Sequence, residues 1–179
     1  MTLIVEDGSG VVGAEAYITV ANAITYFANR ASPINSAWAA LTTSQQEQYI
    51  RMGADYMTQV YHDKWDGYRY NVGQAMDWPR VWVPIWDVAS SYGPAPNFIL
   101  PTVVPQLVQY ANAELALRAY SGGQLAADLD ISEASVTVGP IKVQYDLNAP
   151  RYPIYRQVDM MLRQFFKRGG GNSVQLMRT

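Results

Sequence analysis

The chain has 179 residues, 49% of them hydrophobic and 16% charged, with a formal net charge of −2; that suits one domain with a core and excludes a disordered chain. Cysteine is absent, which removes disulfides, thiolate zinc sites and cysteine nucleophiles and fits a reducing cytoplasm. The opening MTLIVEDGSG has no basic segment leading a long apolar run, and no window approaches the roughly 20 apolar residues of a membrane span, so a soluble protein without a signal peptide is expected.

Residues 1–19 read as extended or loop-like, with GSGVVG at 8–13 and a β-rich run, AYITV, at 16–20. Thr19 is placed to cap a first helix over 20–30, with Val20, Ile24, Phe27 and Ala28 at helical spacing and Ser32-Pro33 as its stop. Thr43 with Gln46 three residues on forms a capping-box pattern for a second helix. Its stripe is Tyr49, Met52, Gly53, Tyr56, Met57 and Val60.

Residues 62–101 hold four of the five tryptophans and five of the ten prolines without sustained periodicity. They read as one long loop, a contact element more than a connector. A third helix is expected over 103–120, capped by Thr102, with Pro105 in its first turn and Gly122-Gly123 as its stop. Val104, Leu107, Val108, Ala111 and Leu115 form its buried face. SVTVGPIKVQY at 135–145 gives two β-rich runs around Gly139-Pro140, a hairpin or a pair of extended arms. The last helix, over 153–167, carries Ile154, Val158, Met161, Leu162 and Phe165 on one face, and GGGNSVQLMRT follows as a flexible tail. The pattern predicts a mainly α fold. About four helices form a small bundle over 1–168, with the loop at 62–101, a hairpin or arm at 135–146 and a tail at 169–179.

Motifs for chemistry fail on context. GSGVVG matches G-x-G-x-x-G, yet its glycines lead into AEAYITV instead of opening a helix, and RASPIN stands where an acidic ribose partner belongs. His62 is the only histidine, beside Asp63; no G-x-S-x-G accompanies it and no set of metal ligands surrounds it. Asp63 and Asp66, or Asp128 and Asp130, sit in polar contexts where turn and cap duty is the default. No catalytic residue, cofactor or metal is expected, and the chain is not read as an enzyme.

Two features point to partners. From Arg151 onward there are six basic residues against one acid, Asp159, while the first 150 residues hold seven basic and fourteen acidic. This basic end is either a solvated helix terminus favoured by its dipole or a surface for something negative. Lys64, Trp65, Tyr68, Arg69, Tyr70, Trp78, Arg80 and Trp82 interleave rings with cations, as platforms for single-stranded nucleic acid do. Asp63, Asp66, Asp77 and Asp87 dilute that charge, and the same residue types mark protein–protein hot spots, so protein contact is the favoured expectation.

In their order along the chain, these motifs resemble the head–tail connector (adaptor) family of tailed bacteriophages. GAEAYITVANAITYF at 13–27 is similar to that family's opening, and Trp78-Pro79-Arg80 to its W-P-R. Ala111 to Leu117, Val138 to Tyr145 and Arg151-Tyr152-Pro153 match the motifs that follow. The aromatic-rich stretch after Arg80 and the glycine tail depart from it. The resemblance implies a virion protein, made in the host cytoplasm, forming a twelvefold homo-oligomeric ring between the portal protein and the tail stopper or neck. Contact with DNA would then be confined to its channel. The protein-interaction set expected for such a ring is Trp78, Arg80, Trp82, Trp86, Arg163, Lys167, Arg168, Val174, Leu176, Met177 and Arg178; those after Arg80 and in the tail follow from the aromatic loop and the basic end, not from the resemblance. Trp78 would pack across the bundle while Arg80 reaches a carboxylate of its own or a neighbouring subunit. Some members of that family are likened to a primosomal single-strand-binding protein. The rival expectation is therefore a single-stranded-DNA-binding accessory protein, with Trp65, Trp78 and Trp82 as stacking candidates.

Overall fold

The structure, a computed structural model, describes residues 2–30, 35–88, 97–127, 135–138, 141–144 and 152–168. Helix α1 runs Val20–Ala28, with the Thr19 side chain accepting a hydrogen bond from the Asn22 N–H as expected. Its buried face is Ala23, Tyr26 and Phe27, while Ile24 is exposed; the stripe read from the sequence was turned by about one position. A short helix α2, Asn35–Ala39, was not anticipated, and it delivers Trp38 fully buried. Helix α3, Thr43–Tyr61, starts one residue before the position its pattern suggested. Thr42, not Thr43, is the cap, in a reciprocal capping box with Gln45.

Helix α4 spans Gln106–Gly122. It begins later than expected because Pro105 itself occupies the N-cap position, which carries no side-chain cap; Thr102 does not serve there. A residue before proline is driven out of helical backbone, which keeps Val104 outside. Gly123 ends α4 at φ +81. Helix α5 is only Arg156–Leu162, followed by a 3-10 turn, Arg163–Phe165. Val158, Leu162 and Phe165 are buried as anticipated, but Ile154 precedes the helix and is exposed.

Helices α3 and α4 make the most extensive packing of any pair. Gly53 is where they come closest: a Cβ there would lie 2.9 Å from the Asn112 amide nitrogen and backbone oxygen. Asn112, with no exposed surface, locks the approach. Its Nδ2 donates to Ile50 O at 2.9 Å, and its Oδ1 accepts from Tyr17 N–H at 3.0 Å. One apolar cluster on this pair gathers Phe27, Trp38, Ile50 and Ala116. The other gathers Tyr56, Met57, Tyr61, Trp65, Trp78, Leu115 and Leu162.

The expected single loop over 62–101 is instead built from short paired pieces. A 3-10 turn, His62–Lys64, extends α3. Strands β1 (Tyr68–Arg69) and β2 (Arg80–Val81) pair antiparallel, as do β3 (Pro84–Ile85) and β4 (Asn97–Phe98). Trp65, Trp78 and Val83 anchor them by burial in the main core. Such two-residue ladders leave no periodicity to read, because each contributes one side chain per face. The hairpin expectation at 135–146 is met by β5 (Ser135–Val138) and β6 (Ile141–Gln144), paired antiparallel; its Gly139-Pro140 turn lies outside the described residues. The fold is mainly α with small antiparallel ladders. Among the described residues no helix is long and apolar enough to cross a membrane.

Candidate functional site

A surface groove of about 560 Å³ lies where the end of α3, the β1–β2 ladder and the last described residues meet, lined by His62, Asp63, Asp66, Gly67, Tyr68, Arg69, Arg80, Trp82 and Lys167. Its walls are held from both ends of the chain. Asp66 N–H donates to Phe165 O at 2.9 Å, and Lys167 N–H to Lys64 O at 2.8 Å. Trp65 and Phe166 form a bridge between them. The Lys167 ammonium donates to Asp63 O at 3.0 Å. At the floor Gly67 has φ +65, and a Cβ there would sit 2.1 Å from Val81 O, so only glycine lets the segment lie this close to β2.

Two rings stand open in the groove. Tyr68 is 71% exposed and Trp82 is 65% exposed. Trp82 has φ +62, a left-handed backbone that costs a bulky residue about 1–3 kcal/mol and persists only where the surroundings impose it. Its indole meets Phe98 edge-on at 5.5 Å. Further along, Arg168 stacks over the half-exposed Trp86 at 4.3 Å. Arg69, Lys64 and Lys167 are exposed cations around this strip. The geometry suits a chain of flat rings joined by anions: rings stack on rings, and cations take the charges between.

The tetrapeptide Asp77-Trp78-Pro79-Arg80 supports the groove from beneath. Trp78 has no exposed surface and packs edge-on against Trp65 at 5.8 Å and Phe165 at 5.4 Å. The Trp78–Pro79 peptide is cis. Arg80, only 7% exposed, donates to Asp66 O at 2.7 Å, Gly67 O at 2.8 Å and Asp77 O at 3.1 Å. It ties three backbone carbonyls together instead of reaching a carboxylate, and burial lowers its guanidinium pKa from the usual value against the opposing pull of Asp77. Trp78 therefore offers no face to a partner, Arg80 lines the groove but spends its donors on backbone carbonyls, and Trp65, also fully buried, is no stacking platform. Trp82, Trp86, Arg163, Lys167 and Arg168 are at the surface. Arg163 does not line the groove. Val174, Leu176, Met177 and Arg178 lie outside the described residues.

Sequence reasoning singled out Tyr68 and Arg69 only as part of a ring-and-cation run, and it passed over His62 and Phe98 as site members. Phe98 reaches Trp82 through the β3–β4 ladder, which pairs it with Pro84 fourteen residues earlier, a pairing the sequence does not advertise. The glycine motif is a second surprise. The loop does bind an anion through backbone N–H groups, but the anion is its own Glu6 carboxylate. Gly8 and Gly10 donate to Oε1 at 2.9 Å and Val11 to Oε2 at 2.8 Å. Glu6 is only 3% exposed, so the cradle is filled from within. Among the described residues no three acidic or histidine side chains gather as a metal site.

Fold and groove together define a small, mainly α protein with a ring-and-cation surface. A family model described as "Putative DnaT-like ssDNA binding protein" matches residues 1–179, and the chain belongs to that family. No curated protein and no solved structure matches the chain. The family match overturns the head–tail connector expectation. The virion role, the portal and neck partners and the twelvefold ring rested on that resemblance alone and go with it. Three of its motifs fall on elements of the fold. Trp78 and Arg80 close the core under the groove, Ala111 to Leu117 is the α4 stretch that packs on α3, and residues 138–144 include one arm of the hairpin.

Proposed function

We propose that the chain is a single-stranded-DNA-binding protein, and that it acts by binding without chemistry of its own. Family membership supports this. The observation that carries it to particular residues is Trp82, an exposed indole held at φ +62 in a groove that also presents Tyr68, Arg69 and Lys167. Bases would stack on Trp82 and Tyr68, because every base offers a flat face and stacking needs no particular sequence. Phosphates would run past Arg69, Lys167 and Lys64, each contact releasing counterions, so affinity would fall as salt rises. Asp63 and Asp66 in the groove repel phosphates and set which wall the backbone takes.

The test is fluorescence anisotropy of a short labelled single strand with the full chain, a duplex of the same sequence serving as control. Trp82→Ala and Tyr68→Ala are each expected to weaken single-strand binding by about 1–3 kcal/mol without loss of fold. Undiminished binding by the double variant would move the site elsewhere, and no binding by the parent chain would end the proposal.

A further inference from the structure

One pair in the groove is more elaborate than stacking and charge require. Nδ1 of His62 lies 2.6 Å from Oδ1 of Asp77. The imidazole lines the groove and is 53% exposed, whereas the Asp77 carboxylate is 3% exposed. Asp77 is fixed on every side. Its Oδ2 accepts from Trp65 Nε1 at 3.1 Å, its N–H donates to the Tyr17 hydroxyl at 3.0 Å, and its carbonyl accepts from Arg80 at 3.1 Å. Arg80 gives its donors to carbonyls, so among the described residues His62 is the only basic side chain in ion-pair contact with the carboxylate. Nε2 of His62 makes no hydrogen bond among the described residues.

Resting on the reading of the groove as a single-strand site, we propose that His62 is a proton-gated phosphate contact and that Asp77 is its positioning residue. A buried carboxylate on Nδ1 keeps a proton there and holds the ring's direction, which leaves Nε2 to face the groove. With a second proton the ring becomes an imidazolium whose Nε2–H donates to a phosphate oxygen, a charge-assisted bond. Without it, Nε2 is an acceptor that a phosphate cannot use. The charges around the ring come from every neighbouring element. Asp63 and Lys64 share its turn, Asp66 follows it, and Arg69 and Arg80 come from β1 and β2. Asp77 approaches from below and Lys167 from the end of the chain. Carboxylates, lysine and arginine keep their charge between about pH 6 and 8, where imidazole as a class changes its own. Binding of a strand then takes up a proton, so affinity rises as pH falls.

The experiment measures affinity for a labelled single strand against salt concentration, at about pH 6 and about pH 8, for the parent chain, His62→Gln and Asp77→Asn. The parent is expected to bind on the order of tenfold more tightly at the lower pH. Its plot of log affinity against log salt should steepen by about 0.7, the increment of one added phosphate contact to a single strand. His62→Gln, at a half-exposed position, should give the same slope at both pH values. Asp77→Asn has one acceptor oxygen where the carboxylate has two; with that oxygen on Trp65 Nε1–H, its amide donates to Nδ1 and leaves the neutral ring's proton on Nε2, so the pH effect should shrink. Equal slopes in the parent, or an undiminished pH effect in His62→Gln, would overturn the role of His62 while leaving the groove as the binding site. Absence of strand binding by the parent at both pH values would overturn the groove reading as well.

Discussion

The segment from Trp65 to Trp86 uses one residue type in two opposite ways. Trp65 and Trp78 are sealed in the core, whereas Trp82 and Trp86 stand at the surface 17 and 8 residues away. The buried pair converts a stretch without helix or long strand into a rigid shelf. The exposed pair uses that shelf. A ring can be presented in a costly backbone conformation only if the ground beneath does not yield, and the sealed tryptophans supply that ground.

Substitutions on the two sides of this divide should separate cleanly. The largest effect is expected from Trp78→Ala or Trp65→Ala, each losing about 3–5 kcal/mol of stability through the cavity left behind, read as a fall in the denaturant midpoint. Asn112→Ala should come next. It strands the Tyr17 N–H in a dry helix interface, at about 1–3 kcal/mol, while the Ile50 carbonyl keeps its bond within α3; the readout is again the denaturant midpoint. Trp82→Gly reverses the sign: relieving φ +62 should leave stability unchanged or raise it by up to about 1–3 kcal/mol, while strand affinity falls. That combination, one property gained as another is lost, would be hard to obtain from any residue of the sealed pair. The smallest effect lies away from the groove. Arg51 hydrogen-bonds Glu15 at 2.9 Å and holds its carboxyl below the usual range. A lowered folded-state pKa contributes stability at pH values above the unfolded one, lost as pH falls through the folded value. Arg51→Gln should therefore lower stability slightly at neutrality, flatten the acid limb of the stability curve below about pH 5, and converge on the parent at the acid end.

What could be read from the chain depended on how local the cause was. Thr19 as a cap, the stripe of α3, the α4 stop at Gly123 and the hairpin at 135–144 all follow from residues within a turn or two of one another. α2 was missed because five residues, NSAWA, are too few for a periodic signal, and Trp38 alone holds them to the core. Which aromatics would be sealed and which displayed was not legible. That outcome depends on Phe165 and Phe166 returning from the far end of the chain to cover Trp78 and Trp65 but not Trp82. The ring-and-cation run was seen, and so was the single-strand alternative it allows. The weight went to protein contact because the chain's net charge is negative. Net charge averages over the whole surface and does not show local groupings such as Arg69 and Lys167 in the groove, beside Asp63 and Asp66.

The Glu6 loop has a consequence for how the chain meets anions. Three backbone N–H groups arranged to hold an anion would ordinarily compete for any phosphate in solution. Here the occupant is tethered two to five residues from its cradle, at an effective concentration no free ligand matches. Shortening it, as in Glu6→Ala, would turn a structural latch into a vacancy, and inorganic phosphate would then be expected to restore part of the lost stability. On the proposed single-strand reading, the intact loop, its three N–H groups already occupied, leaves phosphate contacts to the groove.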